Sequence, residues 1–563
     1  MINLIQSARR QLIRCVKAAC EAGFDTTLLD ESGELPIQVE VPKDKTNGDF
    51  STNFCMQAAK GLRRSPKQIA EIILKNIKLD DTYFHKVETA GPGFLNFYLN
   101  SKFYTDTLLH VRKEGADYGR TDFGKGKRVM VEFVSANPTG PMHIGNARGG
   151  VIGDCLSTCL DWSGFEVSRE FYINDAGNQV EKFFQSLSAR YTQQLLGEDA
   201  CPFPEDGYHG EDIKERVAEF IALNGDKYLN ASEEEKKEAL VGYALQKNVE
   251  GLKTDLARYR ILYDTWFSEN FLYETGEVEE TLAILKAGQH VYESDGALWF
   301  RATDFGCEKD EVLVRANGLC TYFAADIAYH RNKFLKRGFE RCIDVWGADH
   351  HGHVARMRGA LNAVGLDGSR LDVVLMQLVR LVSGGNLIKV SKRSGKAISL
   401  NDLLDEVGVD AARFFFNMRA SDSHLEFDLE LAKEQSAQNP VYYVQYAYAR
   451  ICSILRLLEV DWTQISIDSL DLSLLQEPEE LELIGILAAF PEEVRLSAVQ
   501  YEPSRITTYV LSLAAAFHKF YNAHRVNCDE EELRKSRVVL IWCIQIVLKN
   551  ALDILKVTAP EKM

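Results

Sequence analysis

The feature that most constrains this chain is a short succession of local patterns. An apolar run, Val129-Met130-Val131-Glu132-Phe133-Val134, leads into Asn137-Pro138-Thr139-Gly140-Pro141-Met142-His143-Ile144-Gly145-Asn146, and a helical pattern continues from Ala147 to about Trp162. The expected arrangement is strand, glycine-containing turn and helix. Such a unit binds anions, because the first backbone N–H groups of a helix have no intrahelical partner. Gly140, Gly145, Gly149 and Gly150 are equally suited to shaping a tight turn and letting a helix pack closely on a sheet. His143 adds a side chain able to donate a hydrogen bond toward an incoming phosphate. The spacing matches neither GxxxxGK[ST] nor GxGxxG, so a different kind of nucleotide site is expected.

Three further stretches carry candidate chemistry. Lys389-Val390-Ser391-Lys392-Arg393-Ser394-Gly395-Lys396 follows the glycine-rich Ser383-Gly384-Gly385-Asn386. That suits a solvated basic loop, and equally a loop that closes over a triphosphate and reopens. Within Thr321-Tyr322-Phe323-Ala324-Ala325-Asp326-Ile327-Ala328-Tyr329-His330, Tyr322 and Asp326 have the helical spacing that places both on one pocket wall. The tyrosine also suits a core position, whereas a carboxylate in apolar surroundings needs a partner. Gly347-Ala348-Asp349-His350-His351-Gly352-His353 follows the strand candidate Cys342–Trp346, at the carboxyl end where ligands of parallel sheets bind. Its histidines have no convergent cysteine or HExxH partner, and no permanent protein-bound metal is expected.

With 563 residues the chain exceeds what one core supports, so three or four domains are expected. Its 46% hydrophobic and 26% charged residues are ordinary for a soluble protein, and no segment is expected to have the length and purity of a membrane span. The N-terminal residues lack an apolar signal core, and the twelve cysteines are scattered without a CxxC pair, which together suggest a cytoplasmic chain with free thiols. A net charge of −17 argues against a generally basic nucleic-acid coat but leaves room for local phosphate-binding patches. Residues 1–110 read as an α+β unit, with the strand Phe94–Leu99 at the edge of a small sheet. The nucleotide fold is expected over 111–400, interrupted by acidic helical insertions at about 181–288. Leu298–Phe300, Val312–Arg315 and Cys342–Trp346 are its later strand candidates. A connecting segment, 401–434, precedes a helical domain over 435–563, whose pattern alone also suits a scaffold or dimerisation bundle.

His143-Ile144-Gly145-Asn146 resembles HIGH, the first signature of class I aminoacyl-tRNA synthetases, and Lys389-Val390-Ser391-Lys392-Arg393 resembles their second, KMSKS. Asn137 to Gly140 and Tyr172-Ile173-Asn174-Asp175-Ala176-Gly177-Asn178-Gln179 look specifically like arginyl-tRNA synthetases. The resemblance implies an α/β fold: a Rossmann-like catalytic core with an N-terminal α+β domain that contacts the tRNA elbow and a C-terminal all-α domain that binds the anticodon. It implies formation of arginyl-adenylate from L-arginine and ATP, the ATP bringing Mg²⁺, and transfer to the terminal ribose of tRNA-Arg. The implied catalytic residues are His143, Asn146, Lys389 and Lys392. ATP would be held by these together with Gly140, Gly145, Gly347, Asp349, His350 and Gln377. Arginine would be held by Asn137, Glu269, Tyr322 and Asp326, and tRNA bases would stack on Tyr446 and Tyr521. A monomer without membrane attachment is expected. Asn146 replaces the last histidine of HIGH and keeps an N–H donor without a cationic form. Val390 replaces the methionine of KMSKS and Arg393 its last serine. Another nucleotidyl-transfer enzyme would share the phosphate motifs but not a dependence on arginine, and a noncatalytic RNA-binding protein would keep only the helical domain.

Overall fold

Five parallel strands form the central sheet of the computed structural model, which describes residues 3–24, 37–388, 398–458 and 470–563. From one edge the order is Leu371–Met376, Arg341–Gly347, Arg128–Glu132, Glu166–Ile173 and Thr265–Ser268. The chain enters at the middle strand, Arg128–Glu132, builds outward to one side and returns to build the other. The switch point therefore lies between Arg128–Glu132 and Arg341–Gly347, and a crevice opens at the carboxyl ends of those strands. Val129, Met130 and Val131 are buried, as expected for a strand covered on both faces.

The helix that follows runs Ile144–Trp162, three residues earlier than the sequence pattern suggested, because His143 caps it with its own ring. None of Gly140, Gly145, Gly149 or Gly150 has a positive φ, so the turn does not need them for backbone freedom. Close packing explains two glycines of this helix. A Cβ on Gly150 would lie 2.9 Å from Ile261 Cδ1, and one on Gly153 would lie 2.2 Å from Phe133 Cγ. The left-handed conformations fall instead on Val134 (φ 70°) and Ser135 (φ 41°), immediately after the strand. A β-branched residue there is strained, and strain of this kind gathers at ligand sites. The Ser135 hydroxyl ties this bend down by donating to Glu132 Oε1 at 2.9 Å and accepting from Tyr172 N at 3.1 Å.

Several expected elements take other positions. Leu298–Phe300 and Val312–Val314 belong to a separate antiparallel sheet with Val291–Ser294, outside the parallel one. The acidic stretch from Glu181 to Gly288 includes helices Glu211–Asn224 and Glu233–Arg258, which share a core of their own with Asn178–Leu196, but it also contributes the edge strand Thr265–Ser268. Phe94–Leu99 is the centre, not the edge, of the N-terminal sheet, between Phe50–Thr52 and Phe84–Ala90. Its buried Asn96 accepts from the Ser51 hydroxyl at 2.7 Å. The helix Ser101–Glu114 crosses into the main body, where Leu108 and Val111 join the large core.

That core continues from the sheet into four C-terminal helices, Pro440–Leu457, Pro478–Gln500, Ser504–Ala523 and Glu531–Leu555. Contrary to the sequence expectation, the last is long and apolar enough to cross a membrane by length and composition, but 78% of its apolar window is buried among the other helices. Two buried arginines lock the signature helix to its neighbours. Arg413 donates to Asp154 Oδ2 at 2.6 Å and to the carbonyls of Tyr259 and Leu555. Arg148 donates to the carbonyls of Gln377, Ala420 and Ser423 at 2.8–2.9 Å.

Candidate active site

At the switch point lies a cleft of about 1500 Å³, lined by Asn137, Gly140, His143, Asn146, Glu269, Tyr322, Asp326, Gly347, Asp349 and His350 among others. The structure thus brings most of the sequence candidates together. Gly145, exposed and bonded to the His143 ring, and Gln377 lie outside the lining; the Gln377 backbone joins Arg148 and Ser421. Lys389 and Lys392 lie outside the described residues, but the chain just after them is held at the turn. The Ile144 and Leu400 N–H groups donate to the carbonyls of Ile398 and Met142, and His143 bridges Ser399. Tyr446 and Tyr521 stand apart on the helical bundle, 36% and 38% exposed, with the Arg450 guanidinium 4.6 Å and 4.8 Å from their ring centres.

His143 Nδ1 accepts from Gly145 N–H at 3.0 Å. The ring proton is therefore on Nε2, leaving that nitrogen as the donor. Asn146, in the first turn of the helix, adds its side-chain amide, while the first backbone N–H groups are already taken: Ile144 by the Ile398 carbonyl, Gly145 by His143 Nδ1 and Asn146 by the His143 carbonyl.

The opposite end of the cleft is acidic and under-satisfied. Glu269 is 1% exposed, and its Oε2 has no hydrogen-bond partner. Asn174 Oδ1 and Gln179 Oε1 also line the cleft, buried and unpartnered, and the buried Tyr172 hydroxyl faces the Glu269 carboxyl without a well-formed bond. Burial, with the charges of Asp326 and Asp175 adding to it, pushes the Glu269 carboxyl up to about 8. Asp326 is less enclosed than its apolar sequence setting suggested, and its partner is His353, whose Nε2 stands 3.3 Å from Oδ2. Buried orphan acceptors are uncommon in folded proteins, and each one here faces the same space. A planar cation with several N–H donors is the complementary ligand.

At the floor of the cleft, lined by Glu132, His330 and Asp344, sequence reasoning missed a charged cluster. Glu132 and Asp344 are register partners on adjacent strands, and the fully buried Lys333 joins them, with Nζ at 2.6 Å from Glu132 Oε2 and 3.1 Å from Asp344 Oδ1. His330 Nε2 contacts Asp344 Oδ2 at 2.8 Å while its Nδ1 contacts the Asp326 carbonyl at 2.8 Å. Burial raises Asp344, but Lys333 and His330 outweigh it and hold the carboxyl low; Glu132, with burial dominant and Asp344 beside it, moves up. Lys333 reaches this place from a π-helical turn, Asn332–Lys336, that continues helix Tyr322–Arg331. The sequence signal was Glu132 itself, a charge inside an apolar strand. Among the described residues, no three His, Cys, Asp or Glu side chains form a group able to hold a metal ion.

Comparisons with known proteins agree along the whole chain. Family models described as the arginyl tRNA synthetase N-terminal domain, the tRNA synthetases class I (R) catalytic domain and the DALR anticodon binding domain match residues 10–99, 108–448 and 444–563. An arginine–tRNA ligase of Acetivibrio thermocellus is 55% identical over 570 aligned residues, and one of Caldanaerobacter subterraneus subsp. tengcongensis is 56% identical over 564, each alignment covering 100% of both chains. The arginyl-tRNA synthetase of Thermus thermophilus shares the fold, with a TM-score of 0.74 at 24% identity over 99% of this chain and 100% of that one. Since both the catalytic-domain match and the end-to-end relatives extend well past the cleft itself, the chain belongs to the arginyl-tRNA synthetases, within class I of the aminoacyl-tRNA synthetases.

Proposed function

We propose that the cleft is where arginine and ATP meet, with the guanidinium at Glu269 and the triphosphate at the start of helix Ile144–Trp162. The chain catalyses ATP-dependent activation of arginine and its transfer to tRNA-Arg. An oxygen of the arginine carboxylate attacks the α-phosphorus of ATP, and the bond from that phosphorus to the bridging oxygen of pyrophosphate breaks. A hydroxyl of the terminal ribose of the tRNA then attacks the arginyl carbonyl, losing its proton as AMP departs. The nucleophilic carboxylate is already ionised, so position and positive potential lower the first barrier.

In this reading Glu269 and Asp326 take the guanidinium N–H groups in charge-assisted bonds, with Tyr322 as the adjoining wall. Asn137 holds the α-amino or carboxylate end. His143 Nε2–H, Asn146 and the backbone from Gly140 to Gly145 face the phosphates, with Lys389 and Lys392 supplying charge from the second motif. Gly347, Asp349 and His350 border the nucleoside, while Gln377 acts only through the backbone beneath it. ATP brings Mg²⁺ on its own phosphates and solvent. Tyr446 and Tyr521, with Arg450 across both rings, offer stacking surfaces to unpaired tRNA bases. Residues 1–110, 111–400 and 435–563 are read as the elbow-binding, catalytic and anticodon-binding domains, joined by 401–434. We also infer a cytoplasmic monomer without membrane attachment; burial of helix Glu531–Leu555 in the core supports the last of these.

The observation that carries the site assignment is the buried, unpaired Glu269 Oε2 among other orphan acceptors. Pyrophosphate exchange with each of the twenty amino acids, with and without matched tRNA, tests the function. Exchange with arginine alone is expected; exchange with several amino acids, or with none even when tRNA-Arg is present, would overturn it.

A further inference from the structure

Behind the guanidinium wall lies a second space. Glu269, Arg315 and Tyr322 line the main cleft on one side and, on the other, a second cavity of about 460 Å³. The two spaces therefore adjoin at the residues that receive the side-chain end of arginine.

The second cavity has a particular chemistry. Two of its acids are already engaged: Asp175 accepts from Ser268 Oγ at 2.7 Å and Asn270 N at 2.9 Å, and Glu181 is paired with Lys237 at 2.5 Å. Glu269 Oε2 is the buried acceptor left unpaired between the two spaces. Beyond it the wall includes Val180, Leu319 and Cys320. A ligand matched to this sequence of surfaces has a cationic group at Glu269 and an uncharged, mainly apolar extension behind it.

We propose that this annex receives a substituent carried on a terminal nitrogen of the guanidinium, so that Nω-alkyl arginines are bound and activated. This rests on the reading that Glu269 holds the guanidinium. An alkylated guanidinium keeps its charge and loses one of its N–H donors, so the contacts with Glu269 and Asp326 can persist while the alkyl group leaves the cleft through the shared wall. A pocket closed behind the guanidinium would instead force added carbons against packed side chains, where overpacking is destabilising.

The test compares L-arginine, Nω-methyl-L-arginine and Nω-propyl-L-arginine in pyrophosphate exchange by the full chain with ATP and tRNA-Arg. An open annex predicts kcat/KM for the propyl compound within about tenfold of arginine; a fall beyond roughly 100-fold for both analogues overturns the proposal. Cys320 lines the annex and not the cleft. Cys320→Phe should therefore lower use of the propyl compound by at least about tenfold while leaving arginine within roughly twofold. Leu319→Trp fills the same space from its exposed edge and gives the same reading if the first variant folds poorly. Equal effects of filling on arginine and its propyl derivative overturn the proposal. Direct binding of L-arginine to Glu269→Gln separates the two layers: unchanged affinity removes the underlying reading, whereas lost affinity together with rejection of both analogues removes the annex alone.

Discussion

Arginine binding should release a proton. The Glu269 carboxyl in the free cleft is raised to about 8 by burial and by the neighbouring Asp326 and Asp175 charges. A guanidinium placed against it favours the ionised form, so binding draws the pKa down. At pH 7 roughly nine-tenths of the free carboxyl carries a proton, and about 0.9 proton should leave for each arginine bound. The sign follows: the free protein holds the proton more tightly than the complex, so arginine affinity rises with pH and levels off above about 8. At pH 6 ionising the group costs about 2.7 kcal/mol, making the Kd roughly 100-fold weaker than at the high-pH limit. Titration calorimetry at pH 7 in two buffers of different ionisation enthalpy measures the proton count directly, and a series from pH 6 to 8.5 measures the slope. Glu269→Gln should bind weakly at every pH and show no proton release. A Kd independent of pH in the unaltered protein, with equal heats in the two buffers, would refute the reasoning.

Asp326→Asn should lose arginine activation far more than ATP binding; unchanged arginine affinity by direct titration would remove Asp326 from the pocket. Lys392→Ala should slow adenylate formation at least ~100-fold, about 2.7 kcal/mol of transition-state stabilisation, as read by single-turnover kinetics. Lys333→Met leaves Glu132 and Asp344 facing each other without their shared cation, and should cost about 3–5 kcal/mol, seen as a lower melting temperature and denaturant midpoint. A double Tyr446→Ala, Tyr521→Ala variant should weaken tRNA-Arg binding by about 1–3 kcal/mol for each lost stacking contact while leaving the equilibrium affinities for arginine and ATP near normal.

The parts of the site that were legible in the sequence are those with local spacing. Strand, turn and helix around His143 follow from hydrophobic period and glycine placement, and the four-residue interval of Tyr322 and Asp326 correctly puts both on one wall. The helix start was displaced because its cap is a ring bonding to Gly145, a contact that propensity does not register. Sheet membership was less accessible. Leu298–Phe300 and Val312–Val314 have the apolar character of core strands, which does not distinguish a small antiparallel sheet from the parallel one. Thr265–Ser268 is only four residues long and sits at the end of a charged helical region, too short for a period to appear. Glu269 is named only through the resemblance, because no local period marks a residue that distant packing encloses. Lys333 carries no local mark of burial, and its partners are 201 and 11 residues away in sequence.

The π-helical turn at Asn332–Lys336 carries an implication for how such chains can change in length. The Arg337 N–H closes on the Asn332 carbonyl, five residues back, at 3.1 Å. One additional residue is thereby stored within a helical turn. Its count lets Lys333 reach Glu132 and Asp344 while Arg337 reaches Glu170. Deleting one residue of the turn would let it close as an ordinary α-helical turn while the chain on either side keeps nearly its present direction. The cost would fall inside the turn, where Lys333 and Arg337 would no longer both stand opposite their carboxylates. A one-residue gap here would therefore be felt at the buried ion pairs, while the elements before and after the turn could keep their places.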